Sequence, residues 1–191
     1  MNMLHSTTAA TLLALASLPA LASEPPWLGE ARNVATSVPP KLLAVLRAEI
    51  DKGGLEGAIA TCSEVAPQLA REASQASGWA IRRVSLRNRN PKAVPDEWER
   101  AVLEDFDRRA AAGENPATLE RAEAVTVGGQ TQWRYMRALP TQELCMSCHG
   151  AVERLSPAVR AQLQSRYPDD RAVGYSVGQI RGAMTIRKPQ P

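Results

Sequence analysis

Cys145-Met146-Ser147-Cys148-His149 is the stretch of this 191-residue chain from which most of its structure can be inferred. It has the form C-x-x-C-H, the attachment signature of a covalently bound c-type haem. Two thiols on one helical turn can each add to a vinyl group of the same haem, and the adjacent imidazole is then held under the iron as its proximal ligand. The motif predicts one covalent haem c, attached through Cys145 and Cys148, with His149 on the iron.

Two other kinds of site use the same residues. With Cys62 added, the motif supplies a Cys₃His set, which is a legitimate ligand count for a structural zinc module. Adjacent Cys148 and His149 would bind one tetrahedral ion only with steric difficulty. A thiol–disulfide enzyme needs a reactive thiolate, usually in a thioredoxin-like βαβ setting that this sequence does not show. Haem attachment is therefore the leading interpretation.

The beginning of the chain has the features of a cleaved secretory signal. Residues 11–22 form an apolar run that ends in Ala20-Leu21-Ala22, which is typical of a signal-peptidase site. The run is short for a membrane-spanning helix. Residues 1–10 contain no Lys or Arg, so an uncleaved anchor is the alternative. We expect residues 1–22 to be removed and the mature protein to be periplasmic, with no membrane contact.

Charge and histidine content exclude several functions. The net charge is +3, from 23 basic and 20 acidic residues that are interspersed along the chain. That pattern is typical of a solvated, salt-bridged surface and gives no support to nucleic-acid binding. Removal of the signal would also remove His5 and leave His149 as the single histidine. A bis-His haem within one chain is then excluded, and we predict a non-enzymatic protein.

The sixth iron ligand stays open on the residues alone. Cys62 is the thiol left over once the haem uses the other two cysteines, although a buried cysteine often packs simply as a small hydrophobe. Met184 lies beyond His149 at a separation that suits a Met-ligated cytochrome c, and Met136 is a third candidate. Either methionine more commonly faces a core.

The remaining sequence predicts an α+β fold. Residues 23–40 are predicted as a Pro-rich lead-in with a short helix over 29–36, and residues 41–191 as a single domain. Gly128-Gly129 is a strong hairpin signal between strands over 119–127 and 130–139. Further strands are predicted over 79–86 and 179–187. Helices are predicted over 41–52, from Leu55 with a kink at Pro67, and from Pro95 to Gly113. Two more are predicted around the motif and from Ser156 to Tyr167. This order predicts a small antiparallel sheet covered by helices on one side.

Several blocks of the sequence also carry a family resemblance. The blocks are Cys62-x-x-x-Ala66-Pro67, Arg82-Arg83-Val84-Ser85-Leu86-Arg87-Asn88 with Pro91 and Trp98-Glu99, Cys145–Gly150, and Tyr167-Pro168-Asp169-Asp170-x-Ala172-x-Gly174-Tyr175-x-x-Gly178-x-x-Arg181-Gly182-Ala183. Together they resemble the Tll-like c-type haem domain family, PAS-like mono-haem modules found as secreted proteins and as sensor regions of bacterial signalling proteins. Gln179 departs from the pattern, which has an acid at that position.

The resemblance implies a ligand set and a role. It implies a PAS-like antiparallel sheet with flanking helices and a covalently bound haem, and it assigns Cys62 as the distal ligand. Because arginines commonly bind haem propionates, the pocket candidates are Arg82, Arg83, Arg87 and Arg181, with Tyr175 beside them. We expect redox or gas sensing, or electron transfer, with a diatomic gas as candidate ligand and a periplasmic redox or signalling partner. A His/Met electron-carrier cytochrome c is the alternative.

Overall fold

A computed structural model describes residues 24–190. The predicted signal, the first mature residue Ser23 and His5 all lie outside this range. Among the described residues, no helix combines the length and the apolar character needed to cross a membrane.

Helix α1 runs from Pro26 to Ser77, so the predicted Pro-rich lead-in is wrong, while the helices predicted over 41–52 and from Leu55 are confirmed as its two parts. The predicted boundary at residue 40 falls inside the helix, which passes through Pro39 and Pro40. One predicted break is confirmed, because Gly54 has φ 70° and ψ −173°, a left-handed backbone that favours glycine. Before this break the helix buries residues at helical spacing against the sheet, namely Leu28, Ala31, Ala35 and Val38. That packing compensates for the prolines.

The sheet has four antiparallel strands in the order β1-β4-β3-β2. The strands are β1 Ala80–Val84, β2 Glu120–Val127, β3 Gln130–Pro140 and β4 Ile180–Pro189. Gly128 and Gly129 have φ 59° and 80° and form the two-residue turn between β2 and β3, as the hairpin signal predicts. The predicted α+β class and all four predicted strands are confirmed.

Three shorter helices complete the fold. They are α2 Glu97–Ala111, α3 Glu143–His149 and α4 Pro157–Arg166. Helix α4 begins as predicted, since Ser156 Oγ accepts a hydrogen bond from the Val159 amide at 3.1 Å. The motif cysteines lie on α3, which is a single short helix, as the sequence predicts.

Helices cover both faces of the sheet, which corrects the one-sided arrangement predicted from the sequence. Helix α1 packs on the face that carries Trp79, Ile81, Tyr135 and Ile186. Helix α2 packs on the other face through Val102, Leu103 and Phe106, where it meets Val84 and Met136. The physical reason is visible in β4, where Ile180–Ile186 is buried throughout. A strand that is apolar on both faces needs a cover on each.

A buried carboxylate fixes α2 to the sheet. Glu99 is 3 % exposed, and its carboxylate pairs with Arg82 and Arg134. It also accepts hydrogen bonds from Thr185 Oγ1 at 2.9 Å and from the Asp96 amide at 2.9 Å. Because a buried charge is tolerated only when it is paired and hydrogen-bonded, this network is a structural requirement of the fold.

We expect Glu99→Ala to lower the free energy of unfolding by about 3–5 kcal/mol, because it leaves the buried Arg134 guanidinium with an incomplete set of partners. Chemical denaturation of the purified protein measures the change. Glu97→Ala is the matched control, since Glu97 lies on the same helix and is exposed. Equal effects of the two substitutions would contradict a structural role for the Glu99 network.

Candidate functional site

Helix α3 brings the motif residues together. Cys145 and Cys148 are three positions apart, so their side chains project from the same side of the helix. Both are half-buried free thiols. Gly150 follows the helix with its amide hydrogen-bonded to the Met146 carbonyl at 3.0 Å, and a Cβ at this position would lie 2.6 Å from that oxygen. The close approach explains a glycine directly after the histidine.

The loop over residues 172–179 holds both ends of α3. Before the helix, Thr141 donates from its backbone amide to the Gln179 carbonyl and from Oγ1 to the Ser176 carbonyl, both within 2.9 Å. After the helix, the His149 carbonyl accepts from the Tyr175 amide at 2.9 Å. The Gly150 carbonyl accepts from the Gly174 amide at 2.7 Å. Helix α3 therefore has a fixed position although it is short.

One hydrogen bond determines the tautomer of His149. Its Nδ1 lies 2.6 Å from the Ala172 carbonyl oxygen, and a carbonyl can only accept, so Nδ1 carries the proton. Arg181 Nε lies 3.2 Å from the same nitrogen, but it cannot donate to a protonated Nδ1. The shorter contact with the carbonyl prevails. Burial, then the nearby Arg181 and Arg89, hold the pKa of His149 well below its usual value. The imidazole is therefore neutral, with the lone pair of Nε2 available to a metal.

A second contact set fixes the carbonyl that binds His149. Arg89 pairs with Asp170 at 2.9 Å, and each side chain is only 11 % exposed. Asp170 in turn accepts from the Ala172 amide at 2.8 Å, while Arg89 Nη2 donates to the Cys148 carbonyl at 2.6 Å. Arg89 and Asp170 are positioning residues that were not predicted from the sequence. The sequence feature that could have indicated them is the Asp169-Asp170 pair in the resemblance blocks, because a buried carboxylate needs a cationic side chain as its partner.

Cys62 lies on α1 close to the motif. It is one helical turn after Ile59. Ile59 packs in an apolar cluster with residues of α4, and Cys148 contacts the same cluster. Burial raises the pKa of the Cys62 thiol, and the Arg83 charge opposes this rise. The Cys145 sulfur is also near enough to influence that pKa. The structure therefore brings Cys62 near Cys145 and Cys148, from which it is far removed in the sequence.

Three of the arginines predicted to bind propionates, Arg82, Arg83 and Arg181, lie in different parts of the structure. Arg83 faces the α1 side and forms no ion pair or side-chain hydrogen bond within residues 24–190, and burial lowers its pKa. Arg82, its neighbour in β1, points to the α2 side and pairs with Glu99. Arg181 is 7 % exposed and donates to Ser85 Oγ at 3.0 Å. Of these three, only Arg83 and Arg181 lie near the motif.

Tyr175 and Arg87 form a stacked pair beside the motif. The Tyr175 ring meets the His149 ring edge-on, with 6.3 Å between ring centroids. The Arg87 guanidinium lies 4.1 Å from the centre of the Tyr175 ring. Arg87 is therefore separated from His149 by the tyrosine.

The two methionine candidates are both core residues. Met184 is 4 % exposed and packs with Trp79 and Ile186 on the α1 side of the sheet. Met136 is completely buried on the α2 side, the face opposite to Arg83. Met184 lies opposite Arg83 in the β1–β4 register and so shares the α1 face of the sheet, whereas Met136 does not.

Two alternative sites find little support in the geometry. In the described part of the chain, no group of three or more His, Cys, Asp or Glu side chains is arranged to hold a metal ion, which disfavours the Cys₃His zinc module. For the thiol–disulfide enzyme, burial raises the pKa of Cys148, so this motif cysteine is not an activated thiolate.

The residues present fit a c-type haem. Cys145 and Cys148 supply two free thiols on one turn, and His149 supplies a neutral imidazole in the tautomer that leaves Nε2 for iron. A haem also brings two propionates. Arg83 and Arg181 have no carboxylate partner among the described residues, so two guanidinium groups are available for charge-assisted hydrogen bonds.

Comparisons with known proteins support haem as the cofactor. No curated protein matches the chain. The crystal structure of the cyanobacterial heme-protein Tll0287 matches with a TM-score of 0.66 and 26 % identity, covering 88 % of this chain and 98 % of that one. The family model described as Tll0287-like matches residues 5–189. The resemblance read from the sequence blocks is thereby confirmed, and the chain belongs to the Tll0287-like family.

Proposed function

We propose that the protein binds one haem c covalently through Cys145 and Cys148, with His149 as proximal and Cys62 as distal iron ligand. The observation that carries this proposal is the hydrogen bond from His149 Nδ1 to the Ala172 carbonyl. Metal-ligating histidines commonly donate their second ring N–H in this way, which fixes the tautomer and makes the ligating nitrogen more basic. The haem-protein relative supports the same cofactor.

Each surrounding group has a defined task in this proposal. When bound, the haem supplies reversible one-electron redox chemistry at its iron. Arg89 and Asp170 hold the Ala172 carbonyl in place and so orient His149. Arg83 and Arg181 bind the propionates. No residue of the chain acts as an enzyme acid or base.

The role we propose is redox or gas sensing, with electron transfer as the close second. A thiolate ligand donates charge and stabilises ferric iron, which lowers the reduction potential. It is also easily protonated and lost when the metal is reduced, which suits a sensor. A diatomic gas would then bind where Cys62 leaves. The signal or the electron passes to a separate periplasmic partner.

The periplasmic location is part of the same proposal, because c-type attachment and the apolar run at 11–22 both point to export. Intact-mass analysis of the purified protein under denaturing conditions tests location and cofactor together. We expect the mass of residues 23–191 plus one haem, with the haem absorbance retained after acid–acetone extraction. A mass that still includes Met1 would contradict cleavage. A mass without haem would contradict covalent attachment.

A further inference from the structure

A cleft of about 410 Å³ opens beside α2, away from the cysteines. Its walls come from the segment after β1, the C-terminal half of α2 and the segment before β4. The apolar part of the lining includes Leu86, Leu103, Ala110 and Ile180, and the charged part consists of Arg87 and Asp107. The volume lies at the lower end of the range for small-molecule sites, about 300–1,000 Å³.

The cleft is distinct from the proposed haem site. None of Cys62, Cys145, Cys148 and His149 lines it. Tyr175 does line it, and the same tyrosine ring also contacts the His149 ring. The cleft therefore lies behind the tyrosine, as seen from the histidine.

Neither charge of the cleft forms an ion pair with another residue of the described range 24–190. The only side-chain hydrogen bond of Arg87 within residues 24–190 runs from Nε to the Arg171 carbonyl at 3.4 Å, so both terminal nitrogens remain available. Stacking on Tyr175 holds the guanidinium plane in place. Asp107 lies at the exposed rim of the cleft and forms no hydrogen bond or ion pair with the described residues.

Arg87 and Asp107 form no ion pair with each other, although both line the same cleft and the Arg87 charge opposes the rise that burial causes in the pKa of Asp107. Opposite charges that share a cavity without meeting can each bind the opposite charge of a ligand. A fixed guanidinium fork suits a carboxylate, which it binds through two parallel hydrogen bonds. A rim carboxylate suits an ammonium group. The apolar walls between them suit a hydrocarbon side chain.

We propose that this cleft binds a free amino acid with an apolar side chain. Its carboxylate pairs with Arg87, its ammonium group pairs with Asp107, and its side chain packs against Leu86, Leu103 and Ile180. The site would give the protein a ligand input separate from the iron.

Calorimetric titration of the purified holoprotein tests this proposal, with L-leucine and L-phenylalanine as probes. The matched controls are the same molecules without the ammonium group, 4-methylpentanoate and 3-phenylpropanoate, and without the carboxylate, 3-methylbutylamine and 2-phenylethylamine. We expect saturable binding of at least one amino acid and binding about tenfold weaker for its two analogues, as for loss of a hydrogen bond to a charged group. No saturable binding of either amino acid up to about 10 mM would overturn the proposal, since a useful site should bind more tightly than that. So would equal affinity for the acid that lacks the ammonium group.

Variants assign the binding to this cleft. Arg87→Gln and Asp107→Asn should each weaken binding by about tenfold or more. Arg160→Gln and Glu153→Gln are the matched controls, since both residues are exposed and neither lines the cleft. Both controls should leave affinity unchanged. Because Asp107 is at the rim, its variant should fold normally, and an unchanged thermal unfolding temperature without ligand verifies this. Retained affinity in a folded Asp107→Asn variant would overturn the proposed binding mode.

Discussion

Alanine at both Cys145 and Cys148 is expected to abolish covalent attachment of haem completely. Thioether bonds need the two sulfur atoms, and the only other cysteine of the chain, Cys62, lies on a different helix. The substitution leaves His149 and its hydrogen bond to the Ala172 carbonyl intact, so it separates attachment from ligation. Haem-stained denaturing electrophoresis measures the loss, because only covalently held haem survives it.

The double variant should also be less stable. Cys148 contacts the apolar cluster that joins α1 to α4, so alanine at this position removes part of that packing. Ser147→Ala is the matched control, since it lies inside the motif but supplies no sulfur, and we expect full haem content. A haem-stained band that persists in the double variant would refute attachment through these cysteines.

The elements with strong local signals were the ones that the sequence predicted well. Gly128-Gly129 encodes its turn by backbone freedom, and the Ser156-Pro157 cap encodes the start of α4, so both are independent of tertiary contacts. Pro39 and Pro40 also predict a local structure, the end of a helix, but tertiary packing keeps this segment helical. Burial of Leu28 and Val38 against the sheet keeps α1 helical where propensity predicts a stop.

In the site, too, some groups could be predicted from the sequence and others could not. The motif itself could be found from sequence because side-chain identity carries its chemistry. The Ala172 carbonyl could not, since a backbone oxygen leaves no residue-specific trace. Adjacent Arg82 and Arg83 could not be distinguished either, because neighbouring strand residues point to opposite faces and the sequence did not say which face met α1. The structure resolves this by pairing Arg82 with Glu99.

The replacement Cys62→Ser is expected to remove the low-spin thiolate signal from the ferric protein. A hydroxyl is a far poorer iron ligand than a thiolate, so the substitution should remove the proposed sixth ligand. Burial raises the pKa of the Cys62 thiol, so the thiolate is stable in the pocket only while ferric iron stabilises the anion. Low-temperature electron paramagnetic resonance of the ferric state provides the measurement.

Reduction should act on the same residue. If an external electron donor reduced a bound haem iron, the thiolate would lose much of its stabilisation, and protonation of Cys62 Sγ with release would become favourable. The ferrous protein should then bind carbon monoxide, and the segment of α1 that carries Cys62 should change its contacts. A redox change is thereby converted into a structural change, which is the element that a sensor requires.

Met184→Leu is the matched comparison, because Met184 is the alternative sulfur ligand and leucine keeps its core volume. We expect this variant to keep the wild-type resonance spectrum and carbon monoxide binding. The opposite pattern, with an altered ligand field in Met184→Leu and an unchanged one in Cys62→Ser, would identify a His/Met cytochrome. In that case the ligand would stay bound in both oxidation states. Electron transfer would then be the better account of the function, because no thiolate would be present to couple reduction to a movement of α1.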